Sequence, residues 1–339
     1  MGQPIILAIE SSCDETAVAI VKGEELLANI VSTQIEVHAK YGGVMPEIAS
    51  RLHCENIAIV LKEALEKANL TFEEIDAFAV TRGPGLIGAL HVGLQAAKTL
   101  ALLYKKPLIP VHHLAGHIYA NEYIKPLVFP LLAVVVSGGN TELVIMKDHL
   151  DFDIIGETKD DAIGECYDKV ARVMGLPYPG GIPIDKYAKL GKHTYKLPSP
   201  MNDKSYDFSY SGLKTSVINL AHKLEQKGEQ INRDDLCCSF QETAIGMVIE
   251  KALRAVKEYN VKQVVLAGGV SANSYLREQI TSKLKGTEVD VIIPPMWCCT
   301  DNAAMIAKVA LRLYEKKLFA DSSLSVDPSW QIDKYNEFK

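Results

Sequence analysis

The sequence predicts an α/β protein of two lobes facing a cleft, each lobe mixing strands with helices. Three observations predict it. The chain has 339 residues, more than one hydrophobic core of ordinary size organises. Hydrophobic periodicity switches repeatedly between strand-like and helix-like runs, the pattern of α/β layering. A strand–polar turn–strand unit also occurs twice, as "IILAIESSCDETAVAIV" (5–21) and "LLAVVVSGGNTELVIMK" (131–147), about 125 residues apart. Thr16 and Thr141 follow polar turns that carry Asp14 and Asn140, so this short match suggests an internal duplication.

In order, apolar alternation predicts strands at 5–10, 16–21 and 26–33, then a helix over 46–68 with Ile48, Ile57, Val60 and Leu61 on one face. A strand at 76–81 ends in the glycine-rich "TRGPGLIGAL", which leads into a helix over 86–103. A strand at 108–111 runs into a helix near His113. After the repeated unit come a strand at 153–157, a helix at 162–174 and the Gly/Pro loop "GLPYPGGIP" (175–183). Helices at 211–224 and 234–258, strands at 262–267 and 289–293, and a helix at 301–316 complete the pattern. The expected division is a first lobe over 1–125, a second over 126–300, and a C-terminal helix and tail over 301–339 returning to the first lobe. The polar stretch "DSSLSVDPSWQIDKYNEFK" is expected to pack loosely.

Composition excludes several classes. Apolar residues make up 48% and charged residues 23%, which is globular rather than disordered or fibrous. The net charge of −6 gives no footprint of a self-sufficient nucleic-acid binder. Seven cysteines without a C-x-x-C argue against a disulfide framework or a zinc knuckle. The start, "MGQPIILAIESS", carries neither a basic n-region nor a long apolar stretch, so no secretion signal and a cytoplasmic location are expected. The most apolar helix is interrupted by His91, Gln95 and Lys98, as a core helix is and a membrane span is not.

Three turns place small residues at strand ends: Ser11-Ser12, Ser137-Gly138-Gly139 and Gly268-Gly269. Such turns let backbone N–H groups approach a phosphate. Each alone is an ordinary turn, but together they favour a nucleotide cleft. There is no G-x-x-x-x-G-K-[ST], and "TRGPGLIG" does not fit G-x-G-x-x-G, so the P-loop and the ordinary dinucleotide fold lose their main support.

In "VHHLAGHIYANE", His113 and His117 stand four residues apart. On a helix that spacing gives either a solvated or core pair or two imidazoles sharing a metal. Leu114 occupies the place of the H-E-x-x-H glutamate, which disfavours a metalloprotease. In "CCTDNAAMIAKVAL", Asp301 reads either as a helix cap or as a distant third ligand of a two-His-one-carboxylate site. Asp168 and Asp185 flank the loop containing Gly180 and Gly181, placed either as surface charges or as acceptors for ribose hydroxyls. Asn273 reads as a helix cap or as an adenine-edge contact.

The segments "IESSCDETA", "GGVMPEIASRLH", "TRGPGLIGALHVG", "HHLAGH", "VVVSGGNT", "YDKVAR", "YPGG", "DFSYSGLKT", "AGGVSANSYLR" and "TDNAAMIA" together resemble the TsaD (Gcp) family in order and spacing, over residues 5 to about 316. The resemblance implies a duplicated actin-like ATPase (ASKHA) fold. It implies transfer of threonylcarbamoyl from threonylcarbamoyl-adenylate to N6 of adenosine 37 in tRNAs reading ANN codons. It implies one divalent metal, Fe(II) in preference to zinc, on His113, His117 and Asp301. Substrate-binding positions then fall on Val136, Ser137, Gly138, Gly139, Asn140, Asp168, Gly181, Asp185 and Asn273. Implied partners are tRNA, a paralogue of the same fold (TsaB type) and a P-loop ATPase (TsaE type).

Two positions depart from the family pattern: His112 stands where the family has Asn, and Asn140 where it has His. Asn140 cannot titrate near neutrality, so a proton-shuttling or metal-binding role there is not expected. Glu10, Asp14 and Glu15 are the expected catalytic carboxylates, with Asp14 or Glu15 assisting proton removal. The competing classes are an actin-like ATP-binding chaperone or scaffold, and a small-molecule kinase.

Overall fold

The computed structural model describes residues 2–201 and 203–337. Contacts divide the chain into two units: Met1–Pro126 with His149–Asp151 and Thr300–Lys339, and Leu127–Asp148 with Phe152–Cys299.

The first unit is built on a five-stranded sheet. Its strands are β1 (Ile5–Glu10), β2 (Glu15–Lys22), β3 (Glu25–Thr33), β4 (Ala77–Gly83) and β5 (Leu108–His112), in the order β3-β2-β1-β4-β5. β1 pairs antiparallel with β2 and parallel with β4, with Ile9 opposite Val18 and Val80. β1 and β2 are almost wholly buried, which is why they read as continuous apolar runs. The helices are α1 (Ile35–Ala39), α2 (Pro46–Ala68), α3 (Ile87–Tyr104), α4 (His113–Tyr119) and, after the chain leaves and returns, α11 (Ala303–Glu315).

Pleating sends alternate side chains of this sheet to opposite faces. Leu7, Ile9, Val18, Ile20, Phe78 and Val80 pack on Val60 and Ala64 of α2 and on Leu94 and Ala97 of α3. Each such large side chain contributes about 1.5–3 kcal/mol on burial. On the other face Ala17 and Ala19 meet Ala303 and Ala304 of α11, and these small contacts bring α11 close to the sheet. Proline at the first position of α2 suits a helix start, and Asn69 closes the helix in the left-handed conformation (φ 52°).

The C-terminal segment departs from expectation, for it is packed. Leu324, Trp330, Ile332 and Tyr335 are 8, 6, 1 and 4% exposed. Trp330 stacks on Tyr335 at 5.1 Å, and the Arg82 guanidinium lies 4.8 Å over the indole. The polar average of this stretch conceals four apolar anchors, and it is the anchors that fix the chain.

The second unit carries β6 (Leu131–Val136), β7 (Thr141–Asp148), β8 (Asp151–Glu157), β9 (Gln263–Ala267) and β10 (Asp290–Ile292), in the order β10-β9-β6-β7-β8. Read from the other edge this is β8-β7-β6-β9-β10, the rank order of the first sheet. The strand–turn–strand repeat in the sequence is thus a duplicated topology. Its helices are α5 (Ile163–Val173), α6 (Gly181–Ala188), α7 (Ser211–Gln226), α8 (Arg233–Glu258), α9 (Ser274–Leu284) and α10 (Met296–Cys299). The sheet residues Leu132, Val134, Leu143 and Leu266 join Tyr167, Phe240 and Ile245 in one core. Three short helices, α1, α6 and α10, stand where the periodicity shows none, because four to eight residues are too few for a helical face to register. Among the described residues no helix is long and apolar enough to cross a membrane.

Candidate functional site

In the first unit, β5 ends at His112 and α4 begins at His113, so the strand end aims the first turn of the helix. His112 is the N-cap: its Nδ1 accepts from Leu114 N at 3.2 Å, while its Nε2 donates to the Trp330 carbonyl at 2.7 Å. An Asn cap can make the first of these bonds; the imidazole adds the second and ties α4 to the C-terminal segment. Burial, offset in part by the bond to Trp330, lowers the His112 pKa to about 3, so it stays neutral.

Helical spacing puts His113 and His117 on one side of α4, with ring centroids 4.7 Å apart. Gly116 lets α4 lie against α11, because a Cβ there would stand 2.9 Å from Ile306 Cδ1. The residue before α11 that caps it is Asn302, whose side chain accepts from Met305 N at 3.1 Å. Asp301 is therefore not the cap, and its carboxylate is left to the histidines. Asp301 Oδ1 lies 3.0 Å from His117 Nε2 and 3.5 Å from His113 Nε2. One ligand atom from each of the three residues lies within 4.8 Å of the others, and no other such His/Cys/Asp/Glu group occurs among the described residues.

These residues fit a metal. Both ring nitrogens of His117 are buried and lack a hydrogen-bond partner among the described residues, while Nε2 stands 3.0 Å from Asp301 Oδ1. Close approach without a bond is the arrangement expected of atoms that converge on an ion. Behind His113, Nδ1 lies 3.1 Å from both Glu10 Oε2 and Ser12 Oγ. That carboxylate fixes the hydrogen on Nδ1 and turns the Nε2 lone pair toward Asp301, as metal-ligating histidines require.

Glu10 itself is 0% exposed. Its oxygens also accept from Ser12 N and from Thr81 Oγ1, each at 2.6 Å. A carboxylate so enclosed holds His113 and does not reach a substrate, which moves Glu10 from the expected catalytic carboxylates to a positioning place. Sequence reading passes over Thr81 and Ser12 as its partners. The one signal for Thr81 is its position at the strand end before "RGPG".

Asp14 and Glu15 follow on the turn between β1 and β2, and both are largely buried. Glu15 accepts from Thr33 Oγ1 at 3.1 Å. Burial, reinforced by the Asp301 and Asp14 carboxylates, lifts its pKa to about 10, so without a metal Glu15 keeps its proton. Removal from water works against the His113 cation, but Asp301 and Glu10 prevail and raise its pKa to about 9. Desolvation likewise opposes the Asp301 carboxylate, and the two histidines hold it near 2.

A metal must therefore displace a proton from His113. Apparent metal affinity is expected to rise about tenfold per pH unit up to roughly pH 9. The metal-free protein is expected to respond in the opposite sense. Its His113 pKa is raised from 6.5, so that contribution to stability is complete below pH 6.5 and is lost as pH rises through about 9. The loss is at most about 3 kcal/mol. Melting curves with and without chelator across pH 6–9, together with competition titrations, check both signs.

The second unit gathers the other expected residues. At the ends of β6 and β9 the Ser137–Asn140 turn meets Gly268, where a Cβ would stand 2.4 Å from the Val136 carbonyl and where φ is 87°. Only glycine suits both conditions. Asn140 N donates to Ser137 Oγ at 3.0 Å and Asn140 Nδ2 to Glu142 at 3.1 Å. Positions 138, 139, 181 and 269 open onto free space.

Asp168 accepts from Gly180 N at 2.7 Å and shapes the turn before α6, which Gly181 begins. Asn273 caps α9 through Leu276 N, and its amide donates to Gln241 at 2.7 Å. The oxygen of that side chain thus serves the cap while its amide holds Gln241. Asp185 accepts from Gln241 and Ser274 at 3.1 and 2.8 Å. Beside this network lies a cavity of about 180 Å³, with Lys189, Cys238, Glu242 and Tyr275 in its wall.

The family model of TsaD, tRNA N6-adenosine threonylcarbamoyltransferase, matches residues 25–308. Curated proteins of that name from Bacillus thuringiensis (strain Al Hakam) and Bacillus subtilis (strain 168) are 55% and 53% identical, and the alignments cover 97% of this chain and 97% and 96% of theirs. Among solved structures, full-length HypF in its phosphate- and nucleotide-bound form is similar with a TM-score of 0.61 at 16% identity, over 95% of this chain and 47% of its own. Component A of the Acidaminococcus fermentans (R)-2-hydroxyglutaryl-CoA dehydratase gives 0.53 at 18%, over 93% and 99%. These two likenesses bear on the fold alone, which is of the duplicated actin-like type. With a family match across most of its length and relatives more than half identical over nearly all of it, the chain belongs to the tRNA N6-adenosine threonylcarbamoyltransferase family.

Proposed function

We propose that the chain transfers the threonylcarbamoyl group of threonylcarbamoyl-adenylate to N6 of adenosine 37 in tRNAs reading ANN codons. The observation that carries this reading is the convergence of His113, His117 and Asp301, with Glu10 behind them, in a chain of this family. Two imidazoles and one carboxylate leave coordination positions open and suit Fe(II), with zinc as the alternative. When bound, the metal supplies a Lewis acid and a template for the threonyl carboxylate or carbamoyl oxygens.

The donor is a mixed anhydride, so the leaving group is already good and the protein's contribution is placement. In the reaction, the N6–carbamoyl bond forms and the carbamoyl–phosphate oxygen bond breaks. AMP departs with the electron pair, and N6 loses one proton. Asp14 is the acceptor we assign, since Glu15 holds a proton in the metal-free chain and Glu10 is enclosed. The Ser137–Gly139 and Gly268–Gly269 turns offer N–H groups to the phosphate, and Asp168 and Asp185 lie near enough to the glycine loop to serve the sugar. Holding amine and carbonyl in contact lowers the barrier by roughly 7–11 kcal/mol in the most favourable cases.

The net charge of −6 opposes a polyanion. The reading therefore includes partners for tRNA modification, a TsaB-type paralogue and a TsaE-type P-loop ATPase, and a cytoplasmic location. The test is incubation with threonylcarbamoyl-adenylate and tRNA, with and without those partners, followed by nucleoside mass analysis. Threonylcarbamoyladenosine is expected in the complete mixture. Its absence there overturns the activity, and efficient multiple turnover by the lone chain at physiological salt overturns the need for partners.

A further inference from the structure

The turn that carries Asp14 and Glu15 is gripped from α2 by one buried side chain, His53, which is 0% exposed. Its Nε2 lies 3.0 Å from the Cys13 carbonyl oxygen and its Nδ1 2.7 Å from Thr16 Oγ1. A carbonyl oxygen only accepts, so the hydrogen sits on Nε2 and Nδ1 accepts from the Thr16 hydroxyl. Cys13 and Thr16 are the residues on either side of the acidic pair. Both ends of the turn are thus held by one rigid ring. The further bonds here, Gln34 N to Asp14 O at 3.0 Å, Thr33 Oγ1 to Glu15 at 3.1 Å and the pairing of Glu15 and Thr16 with Thr33 and Ser32, come from the end of β3 and the residue after it and hold residues 14–16.

We propose that His53 is a positioning residue for the transfer reaction, a two-pronged clamp that holds the Asp14–Glu15 turn in register with the metal-ligand triad. The inference rests on the activity proposed above and adds a residue that touches neither substrate nor metal ligand. Its physical basis is that displacement of a reacting group by about 1 Å costs on the order of a hundredfold in rate. Thr16 is already fixed in the β2–β3 ladder, so the ring ties the Cys13 end, ahead of the acidic pair, to a fixed point.

The experiment uses the full chain with its partners and compares His53→Ala, His53→Gln and Thr16→Val. Glutamine keeps an N–H donor for the Cys13 carbonyl, and valine removes only the Nδ1 prong, so the series stays informative should His53→Ala fail to fold. For His53→Ala, kcat is expected to fall roughly tenfold to a hundredfold. KM for threonylcarbamoyl-adenylate and bound metal should stay at wild-type values, and amide hydrogen exchange at residues 13–16 should accelerate. Thr16→Val should show a smaller version of both effects, and His53→Gln should recover most of the rate and protection.

Unchanged exchange would mean that the clamp does not hold the turn. Faster exchange with unchanged kcat, or a fall in kcat matched by loss of metal, would make His53 structural only. A wild-type protein that transfers nothing to tRNA would instead sink the activity, while the exchange series still judges the clamp.

Discussion

Asp301→Ala is expected to lower metal affinity by two to three orders of magnitude and to abolish transfer, with little change in fold. Structural metal sites bind with roughly 10–16 kcal/mol spread over four ligands, so one ligand accounts for about 3–4 kcal/mol. Two imidazoles remain, but the anionic ligand that balances the charge of the ion is gone; without Asp301 the His113 proton is easier to displace, which offsets only part of that loss. The neighbouring Asn302→Ala separates ligand from cap. It removes the bond to Met305 N and should cost about 0.5–2 kcal/mol of stability while metal content stays near stoichiometric. Metal analysis after dialysis and a single-turnover transfer assay measure both. Persistence of metal and transfer in Asp301→Ala removes the metal assignment altogether.

Glu10→Gln is expected to weaken metal binding by about ten- to a hundredfold, although residue 10 lies behind His113 and away from the ligand atoms. Glu10 accepts from three donors, Ser12 N, Thr81 Oγ1 and His113 Nδ1. A glutamine has one acceptor oxygen for them and turns an N–H₂ toward the rest. If that amide faces His113, Nδ1 must accept and the hydrogen moves to Nε2, the atom that faces Asp301. The side chain is the same size, so no cavity opens. The stability cost of the mismatched donors should be about 1–3 kcal/mol. Nitrogen chemical shifts of His113 report the tautomer and competition titration the affinity. Wild-type affinity with a relocated hydrogen contradicts the orienting role, as does reduced affinity with the tautomer intact.

Much of this site is legible from residue spacing. The pair His113 and His117 shows itself by helical periodicity, and the polar turns show themselves because they interrupt apolar strands. What spacing does not reveal is which of several equivalent polar residues is free to act. Asp301 reads either as a helix cap or as a ligand, since a carboxylate ahead of a helix can bond the first helical N–H groups. The choice falls to backbone angles and to where the first turn lies, and it leaves the carboxylate uncapped beside the histidines. Glu10 reads as one more acid in an acidic turn until its partners are known, and two of the three come from β4 and α4, about 70 and 100 residues away. The C-terminal segment misleads for a related reason. Its average is polar, but Trp330 and Tyr335 find aromatic and cationic partners that no local window contains.

By itself the sequence determined the repeated strand–turn–strand plan, the glycine turns and the two histidines four apart, because those are properties of neighbours along the chain. Only the tertiary structure decided that Asp301 meets the two histidines while Asn302 takes the cap, that Glu10 stands behind His113, and that His53 grips the acidic turn. Each of those depends on which distant group meets an unsatisfied donor or acceptor, and a hydrogen bond or metal site is set by distances of about 3 Å in space, whatever the separation in sequence.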